Sequence, residues 1–559
     1  MPLLEIPGFR QLNTSSNPRS VNQLDVVDAH NFKWSSNSLI TRQGNKLFKS
    51  NTQWSGQKII YVTDFKKRDE NFFYVIVVLD NGKVYYIRND NVSYGTASAT
   101  WTEILSTGST SPALSSTLTN VSITGFNDKL YFADGTNNLY YWAGDASTDL
   151  TAVTLPTAAS TNNIVAVATK SYRLWALDDA GRTHASSTND GTDFTSAGTG
   201  FLSYGRIEGL KATNMTPFGD DLIITTEDPL TKKFQTYRLL GFQFFDPAVA
   251  GTDTGQFEVR KINTIAGIIG ASGQELAEDT IGLTPRGFLG IQSALNVVQV
   301  SERSFISNPI KEIVADINYN RADKVKSVVD YANGRYFCAV PYGQGASEAS
   351  LILVYDFLRS SPEEGVYRWT TWSFNFNEIH ALGTIAGEPY VSDEDGNLYH
   401  IEDDDAGYAD NGNEIIYNIK TAPIGGSNIG SEKSFENPSA VFTNLTGEVD
   451  IDIYIYPDGK VITEDATQEP FLPIKVEPVD ADLEYDTDGI YYDDGNLYDS
   501  VASSERLVSF SNRAARAQSL AWSFQTNTTG VSWGIGGFSV NVEIDEIVSR
   551  SGVDNSGDI

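Results

Sequence analysis

Cysteine is almost missing from this chain of 559 residues, which contains a single one, Cys338. One thiol cannot form an internal disulfide, so cross-links do not stabilise the fold. Because Cys338 lies within an apolar run, we interpret it as a small buried side chain. The four histidines and this cysteine show no C-x-x-C or H-x-x-x-H spacing, which excludes the usual zinc motifs.

Basic residues are also scarce: 40 Lys and Arg face 72 Asp and Glu, giving a net charge of −32. Tight, sequence-blind binding to DNA phosphates requires a cluster of Lys and Arg, so this charge argues against it. Two interpretations of the acidic surplus stay open. It either covers the whole surface and keeps the protein soluble, or it is concentrated in a groove or lumen.

Long apolar runs are missing as well. The longest, residues 72–79, is too short to cross a bilayer, so we expect no membrane insertion. The first five residues lack the basic start and long apolar stretch of a secretion signal, so we expect no export by the usual route. No phosphate-binding loop or nucleotide fingerprint is present. We predict no cofactor, no catalytic residue and no enzymatic activity.

What the chain does contain is a repeated phrase, in which a turn of Gly, Asn or Asp precedes a short strand ending in Tyr. These turn residues tolerate the positive φ of tight hairpins, and the aromatic and β-branched residues suit half-buried strands. The phrase occurs at residues 81–86, 137–142 and 395–399, and the last of these recurs as 494–498.

The hairpins belong to seven strand-rich units. They open near Ile59, Val121, Ile164, Leu210, Ile262, Val325 and Ile379. This spacing is typical of four-stranded blades. The sequence therefore predicts an all-β fold whose main part, residues 46–412, is a β-propeller of six to eight blades, with seven favoured.

Two further regions flank the predicted propeller. Residues 1–45 contain too few apolar side chains to fold alone, and we expect an extended N-terminal arm that lies on another part of the protein. Residues 449–456 alternate apolar and polar, as a half-buried strand does. We predict that residues 413–559 form a separate β-sandwich-like module with an exposed acidic insertion at about 463–500.

Two segments resemble known binding motifs. Residues 187–194 resemble the Asp-box of sialidases and other propellers, which is a device that stabilises a hairpin turn and not a catalytic site. Asp393, Asp395 and Asn397 resemble the start of a calcium loop, but Gly at its sixth position and Glu at its twelfth are missing. We interpret these three residues as a hairpin turn, and calcium binding is the alternative.

Several short stretches, in this order, resemble tail nozzle and DNA-stabilisation (neck) proteins of tailed bacteriophages. The arm carries Asp28-Ala29-His30-Asn31 and the Leu39–Gly44 stretch, and no comparable match occurs in residues 413–559. The other matching stretches are residues 172–175, 186–194, 283–288, 335–341 and 353–356, with Trp369 and Trp372.

The resemblance implies a structural virion protein made in the host cytoplasm and located in the phage tail. Such a protein forms a ring, with a hexamer favoured, and lines the DNA exit path without binding the genome tightly. It contacts adaptor or portal-side proteins and distal tail proteins. The alternative is a receptor- or glycan-binding viral propeller, and a polysaccharide-degrading enzyme is a more distant one.

Overall fold

The computed structural model describes residues 3–15, 21–106, 114–144, 149–156, 163–196, 199–203, 210–228, 234–243, 255–262, 267–276, 279–291, 305–425, 433–458, 472–476, 506–509, 516–528 and 530–544. It divides the chain into two compact units. One unit joins Met1–Arg42 with Gly407–Ile559, and the other is Gln43–Ala406. Within the described residues, no helix is long and apolar enough to span a membrane.

The first unit begins with four short strands. They are β1 (Leu3–Ile6), β2 (Val26–His30), β3 (Phe32–Ser35) and β4 (Ser38–Thr41).

The second unit consists of seven antiparallel sheets, and its first strand, β5 (Asn45–Lys49), belongs to the last of them. Blade 1 consists of β6 (Ile59–Phe65), β7 (Tyr74–Leu79), β8 (Val84–Arg88) and β9 (Thr102–Ile104). Blade 2 consists of β10 (Ser122–Phe126), β11 (Lys129–Ala133), β12 (Tyr140–Trp142) and β13 (Thr151–Ala152). Blade 3 consists of β14 (Ile164–Lys170), β15 (Arg173–Asp178), β16 (Arg182–Ala185) and β17 (Gly200–Ser203).

Blade 4 consists of β18 (Lys211–Phe218), β19 (Asp221–Glu227), β20 (Phe234–Gln243) and β21 (Gly255–Ile262). The described strands of blade 5 are β22 (Gln274–Leu276), β23 (Asp279–Thr284) and β24 (Gly287–Gly290). Blades 6 and 7 are β25 (Lys326–Asp330), β26 (Arg335–Val340), β27 (Leu351–Ser361), β28 (Val366–Trp372); and β29 (Ala381–Ile385), β30 (Glu388–Ser392), β31 (Leu398–Ile401) with β5. Among the described residues of this unit, the helical elements with given bounds are α1 (Lys311–Ala315) and the 3-10 turns Asn51–Gln53, Asn308–Ile310, Tyr319–Lys324, Pro362–Glu364 and Asp404–Ala406.

The seven sheets form a closed β-propeller, as predicted. The first strand of each blade is innermost, because these strands lie against each other: β14 contacts β10 and β18, and β29 contacts β25 and β6. Apolar clusters join blade 1 to blades 2 and 7, blade 3 to blades 2 and 4, blade 4 to the start of blade 5, and blade 6 to blade 7. Between blades 5 and 6, Phe288 packs on Tyr336 and Trp369, with ring centroids 6.0 and 4.9 Å apart.

Six of the seven predicted unit openings lie within two residues of a first strand, and the fifth is wrong. Ile262 ends β21, and blade 5 opens at Gln274 instead. The reason is that β20 and β21 of blade 4 form an extended hairpin that pairs from Thr236 to Gln243, so an apolar residue near its end resembles the start of a new strand.

The ring is closed by β5, which pairs with β31 as the outer strand of blade 7. Leu47 packs against the cluster between blades 6 and 7. Phe48 points to the other side, where its ring lies 5.5 Å from that of Tyr94 and 5.1 Å from that of Tyr390. The N-terminal strand therefore contributes to the apolar contacts on both sides of blade 7.

The remaining strands complete the first unit. They are β32 (Ala409–Asp410), β33 (Asn413–Thr421), β34 (Lys433–Thr443), β35 (Val449–Pro457), β36 (Leu472–Val476), β37 (Arg506–Ser509), β38 (Arg516–Ala517), β39 (Leu520–Thr528) and β40 (Gly534–Ile544). One sheet has the order β3-β4-β40-β34-β37, with β1 also on β40 and β38 on β34. The other contains β2-β33-β39-β35-β36, with β32 on β33.

These two sheets pack face to face as a β-sandwich, as predicted. Trp522 of one sheet lies 4.4 Å from Phe538 of the other, and Phe524 lies 6.1 Å from Phe442, centroid to centroid. Residues 449–456 alternate as expected, with the apolar side chains of β35 buried. The acidic insertion predicted at about 463–500 lies outside the described residues except for β36.

The N-terminal region lies on other parts of the protein, as expected, but its described residues form strands of their sheets and not an extended arm. β1, β3 and β4 belong to one sheet of the sandwich, β2 belongs to the other, and β5 belongs to the propeller. Such short strands have little apolar surface, so they are stable only where a longer strand satisfies their backbone hydrogen bonds. The propeller unit, residues 43–406, accordingly differs by a few residues at each end from the predicted 46–412.

Candidate functional site

Charged side chains collect just before the innermost strands of three blades. Lys58 precedes β6 of blade 1, Lys324 precedes β25 of blade 6, and Glu378 and His380 precede β29 of blade 7. Glu348, between β26 and β27, completes the group. We call these five residues the inner-rim cluster.

Hydrogen bonds and ion pairs connect the members of the inner-rim cluster. Nε2 of His380 lies 3.0 Å from Oε2 of Glu378 and 3.0 Å from Nζ of Lys58. Lys58 also donates to Glu378 over 3.0 Å. On the other side of the imidazole, Nδ1 of His380 lies 3.7 Å from Oε2 of Glu348. Nζ of Lys324 lies 2.8 Å from Oε1 of the same carboxylate.

The protonation states follow from burial and from these partners. Burial, assisted by the charge of Lys58, lowers the pKa of His380, which favours a neutral imidazole at neutral pH. Burial raises the pKa of Glu378, but hydrogen bonds from Lys58 and His380 outweigh it and lower that pKa overall. The cluster contains no hydroxyl or thiol nucleophile, and its side chains form hydrogen bonds and ion pairs with one another. Its chemistry is that of an ion-pair network that holds blades 1, 6 and 7 together.

A cavity of about 160 Å³ lies along the same innermost strands. Its polar wall includes Lys326 and Gln274, and Nε2 of Gln274 donates to the carbonyl and hydroxyl oxygens of Ser327 over 3.1 Å.

The three calcium candidates lie in the hairpin between β30 and β31. Oδ1 of Asp393 accepts from the backbone N–H groups of Asp395 and Asn397 at 3.0 and 2.8 Å, and its Oδ2 accepts from the Asn397 amide at 2.7 Å. Asp134 of blade 2 accepts bonds from Asn137 in the same way. The shared arrangement is that of a hairpin turn stabilised by an aspartate.

The described residues contain no group of three or more His, Cys, Asp or Glu side chains placed to hold a metal ion. Calcium binding at Asp393, Asp395 and Asn397 stays the untested alternative to the hairpin-turn interpretation.

The Asp-box-like segment, residues 187–194, connects β16 to β17 in blade 3. Asp190 accepts from the N–H and hydroxyl of Thr192 at 2.9 and 2.6 Å. Phe194 is buried in the cluster between blades 2 and 3. The segment thus fastens a loop to the ring.

Residues that carry the phage-tail resemblance form a buried lock inside the sandwich. The guanidinium of Arg42 donates to both carboxylate oxygens of Asp410 at 2.9 and 2.6 Å, and its Nε donates to Oδ1 of Asn31 at 3.0 Å. Asn31 in turn donates to the carbonyl of Ile416 at 2.7 Å. Arg42 and Asp410 are 0% and 2% exposed. The motif therefore serves to join the two ends of the chain.

Sequence reasoning missed Asp410, the inner-rim cluster and Lys326. Several of their contacts join residues hundreds of positions apart, as in the pair Lys58 and His380. The spacing of residues along the sequence cannot predict such a pair. Only Arg42 could be singled out from the sequence, because it lies in the Leu39–Gly44 stretch.

All nine tryptophans are buried. Tyr172 and Tyr331, which are 64% and 60% exposed, lie in hairpins between the first two strands of blades 3 and 6. Of the exposed Trp and Tyr side chains that the glycan-binding alternative would favour, the described residues therefore present tyrosines and no tryptophan.

Comparison with known proteins gives no family. No family model and no curated protein matches the chain. Among solved structures, the chain is similar to YCF48 from Cyanidioschyzon merolae, with a TM-score of 0.37 and 11% identity over 64% of this chain and 98% of that one. It is also similar to the computationally designed Ika8 protein (0.34; 10%; 71% and 97%) and to BBS1N in complex with ARL6DN (0.36; 10%; 65% and 96%).

Proposed function

We propose that this chain is a structural protein of a bacteriophage tail, a nozzle, neck or tail-hub component. Copies of it assemble into a ring, with a hexamer favoured, and the genome passes along the ring axis without tight binding. Its partners are adaptor or portal-side proteins on one side and distal tail proteins on the other. It is made in the host cytoplasm and functions in the virion.

The lock of Asn31, Arg42 and Asp410 carries this proposal. The stretches that resemble tail proteins contribute to the architecture: Arg42 closes the sandwich, and Trp369 donates to the carbonyl of Ile306 at 2.9 Å inside the propeller. The stretches on which the resemblance depends thus contribute to the scaffold of this chain. This agrees with a structural role and does not require a catalytic centre.

The charge of the chain also agrees with the proposal. A surface with a net charge of −32 repels phosphates, so DNA slides past without the counterion release that binds it to Lys and Arg. In this proposal the DNA path lies between copies of the chain and not through one propeller. We expect the acidic surplus to be concentrated on the wall of that path.

Oligomeric state tests the proposal with the purified full chain. Light scattering coupled to gel filtration should give the mass of a closed ring, about six chains, and negative-stain images should show a central hole. A stable monomer at all concentrations, with binding to host-surface glycans on an array, would favour the receptor-binding alternative instead.

A further inference from the structure

Lys326 is a buried cation without a carboxylate partner. It is the first residue of β25 and is only 5% exposed. Its ammonium donates to the carbonyl of Thr119 at 2.9 Å and to Oδ1 of Asn120 at 3.1 Å. Within the described part of the chain, no carboxylate lies within ion-pair distance of Nζ.

Three other buried cations of the chain are paired with carboxylates, whereas Lys49, 1% exposed, has no carboxylate partner among the described residues and lies 5.0 Å from the centroid of the Trp54 ring. Arg42 binds Asp410, Arg335 binds Asp330 and Glu402, and Lys170 binds Asp221. Pairing is expected because a buried charge without a counter-charge costs several kcal/mol. The missing negative charge at Lys326 therefore requires an explanation.

The environment of Lys326 lowers the pKa of its ammonium but leaves the group mostly charged at neutral pH. Burial, followed by the charge of Lys324, lowers its pKa to about 8, while the more distant Asp323 and Glu348 raise it. A pKa near 8 leaves most of the amine protonated at pH 7. The site thus presents a positive charge and not a neutral amine.

The cavity beside Lys326 offers further hydrogen-bond donors. Its lining includes Tyr61, Asn120 and Thr384, and Lys326 is the one charged side chain among the lining residues. The hydroxyls of Tyr61 and Thr384 and the amide N–H₂ of Asn120 have no hydrogen-bond partner among the described residues. Burial raises the pKa of Tyr61 to about 12, so its phenol stays a donor.

The volume limits what fits. A volume of about 160 Å³ is enough for several water molecules or for one small polyatomic ion. An ammonium with amide and hydroxyl donors, and no acid in the wall, is complementary to a negative charge that accepts several hydrogen bonds.

We propose that the central cavity of the propeller binds one small oxyanion, of the size of sulfate or phosphate, with Lys326 as its counter-charge. This goes beyond the proposed structural role and does not depend on it. The net negative charge of the chain repels anions at long range, but at physiological salt charges beyond about 8 Å are largely screened. We therefore expect modest affinity that stabilises the ring of blades.

Thermal unfolding of the full chain tests the site. Sulfate is added at constant ionic strength, held with gluconate, which is too large for the cavity. The unfolding temperature of the wild type should rise with sulfate, because a ligand that binds only the folded state stabilises it. The exposed Lys66→Met variant, the matched control for loss of one positive charge, should respond equally. Lys326→Met should not respond.

A second variant covers the case in which Lys326→Met does not fold. Asn120→Asp keeps the side-chain size and places a carboxylate where Lys326 now donates to an amide oxygen. It should unfold at a higher temperature than the wild type without sulfate and lose the sulfate response. Equal sulfate responses in the wild type, Lys326→Met and Asn120→Asp, or no response in the wild type, would overturn the proposal.

Crystals soaked in selenate give a direct readout. Selenate has the shape and charge of sulfate and scatters anomalously. An anomalous peak within hydrogen-bond distance of Lys326 Nζ is the expected result. A cavity without such a peak in wild-type crystals contradicts the proposal.

Discussion

At the scale of single residues, burial shifts the pKa values of Asp28 and His30 on strand β2 in opposite directions. Burial raises the pKa of Asp28 from 3.8 to about 6, although hydrogen bonds from Asn418 and Ala29 and the charge of Lys420 oppose it. Burial, with the charge of Arg42, lowers the pKa of His30 from 6.5 to about 4. Both groups are therefore held in their neutral forms near pH 5.

The two shifts have opposite effects on stability. Asp28 contributes stability below pH 4 that is lost as pH rises through 6, because the folded form binds the proton more tightly. His30 contributes stability above pH 6.5 that is lost as pH falls through 4. Between pH 4 and 6 the two slopes largely cancel.

Single substitutions should expose each slope. In Asp28→Asn, the free energy of unfolding relative to the wild type should fall as pH decreases from 6.5 to 4, by up to about 3 kcal/mol. In His30→Asn, it should fall as pH increases from 4 to 6. Urea unfolding across this pH range measures both, and variants with the pH profile of the wild type would show that these groups are not buried in their neutral forms.

The lock in the sandwich gives a second prediction at this scale. Arg42→Met leaves Asp410 buried without its partner, which should cost about 3–5 kcal/mol of stability. The matched control is Arg260→Met, because Arg260 pairs with Glu258 at the surface, where the two side chains are 66% and 59% exposed. Calorimetry should show a lower sandwich transition for Arg42→Met and no change for Arg260→Met. Equal transitions would mean that the buried pair is not a lock.

At the scale of elements, the sequence predicts strands well and their long-range partners poorly. Ile59 and Ile164 are correct strand starts because apolar, β-branched runs follow turn residues there, and this signal is local. The pairing of β5 with β31 joins residues about 350 positions apart, and nothing near Asn45 specifies it. For the same reason, Arg42 could be singled out from its motif while Asp410 could not.

The closing strand gives a prediction of its own. A fragment of residues 43–406 should fold as a closed propeller, because β5 supplies the outer strand of blade 7 and places Leu47 and Phe48 in the clusters on either side. A fragment of residues 50–406 should melt at a lower temperature and aggregate through the exposed edge of β31. Adding a synthetic peptide of residues 43–50 should restore the higher melting temperature.

The contrary result is equally clear. If the shorter fragment melts at the same temperature as the longer one and gains nothing from the peptide, blade 7 is stable with three strands. The closing role of β5 would then be wrong, although the propeller fold would stand.

At the scale of the whole molecule, the chain combines a seven-bladed propeller with a sandwich made from both chain ends. The composition predicts an all-β protein, and the repeated hairpins predict the propeller. Stoichiometry and partners are properties of surfaces, which a single sequence describes only through charge and through the resemblance to tail proteins. These remain proposals that depend on experiment.

The most direct test of the proposed structural role is a cryo-electron microscopy reconstruction of the tail in purified particles of the proposed phage. The account predicts a ring of copies around the tail axis, with DNA or its exit path in the lumen and acidic side chains on the lumen wall. Copies placed only at the periphery as appendages, or no copies in the tail, would contradict it.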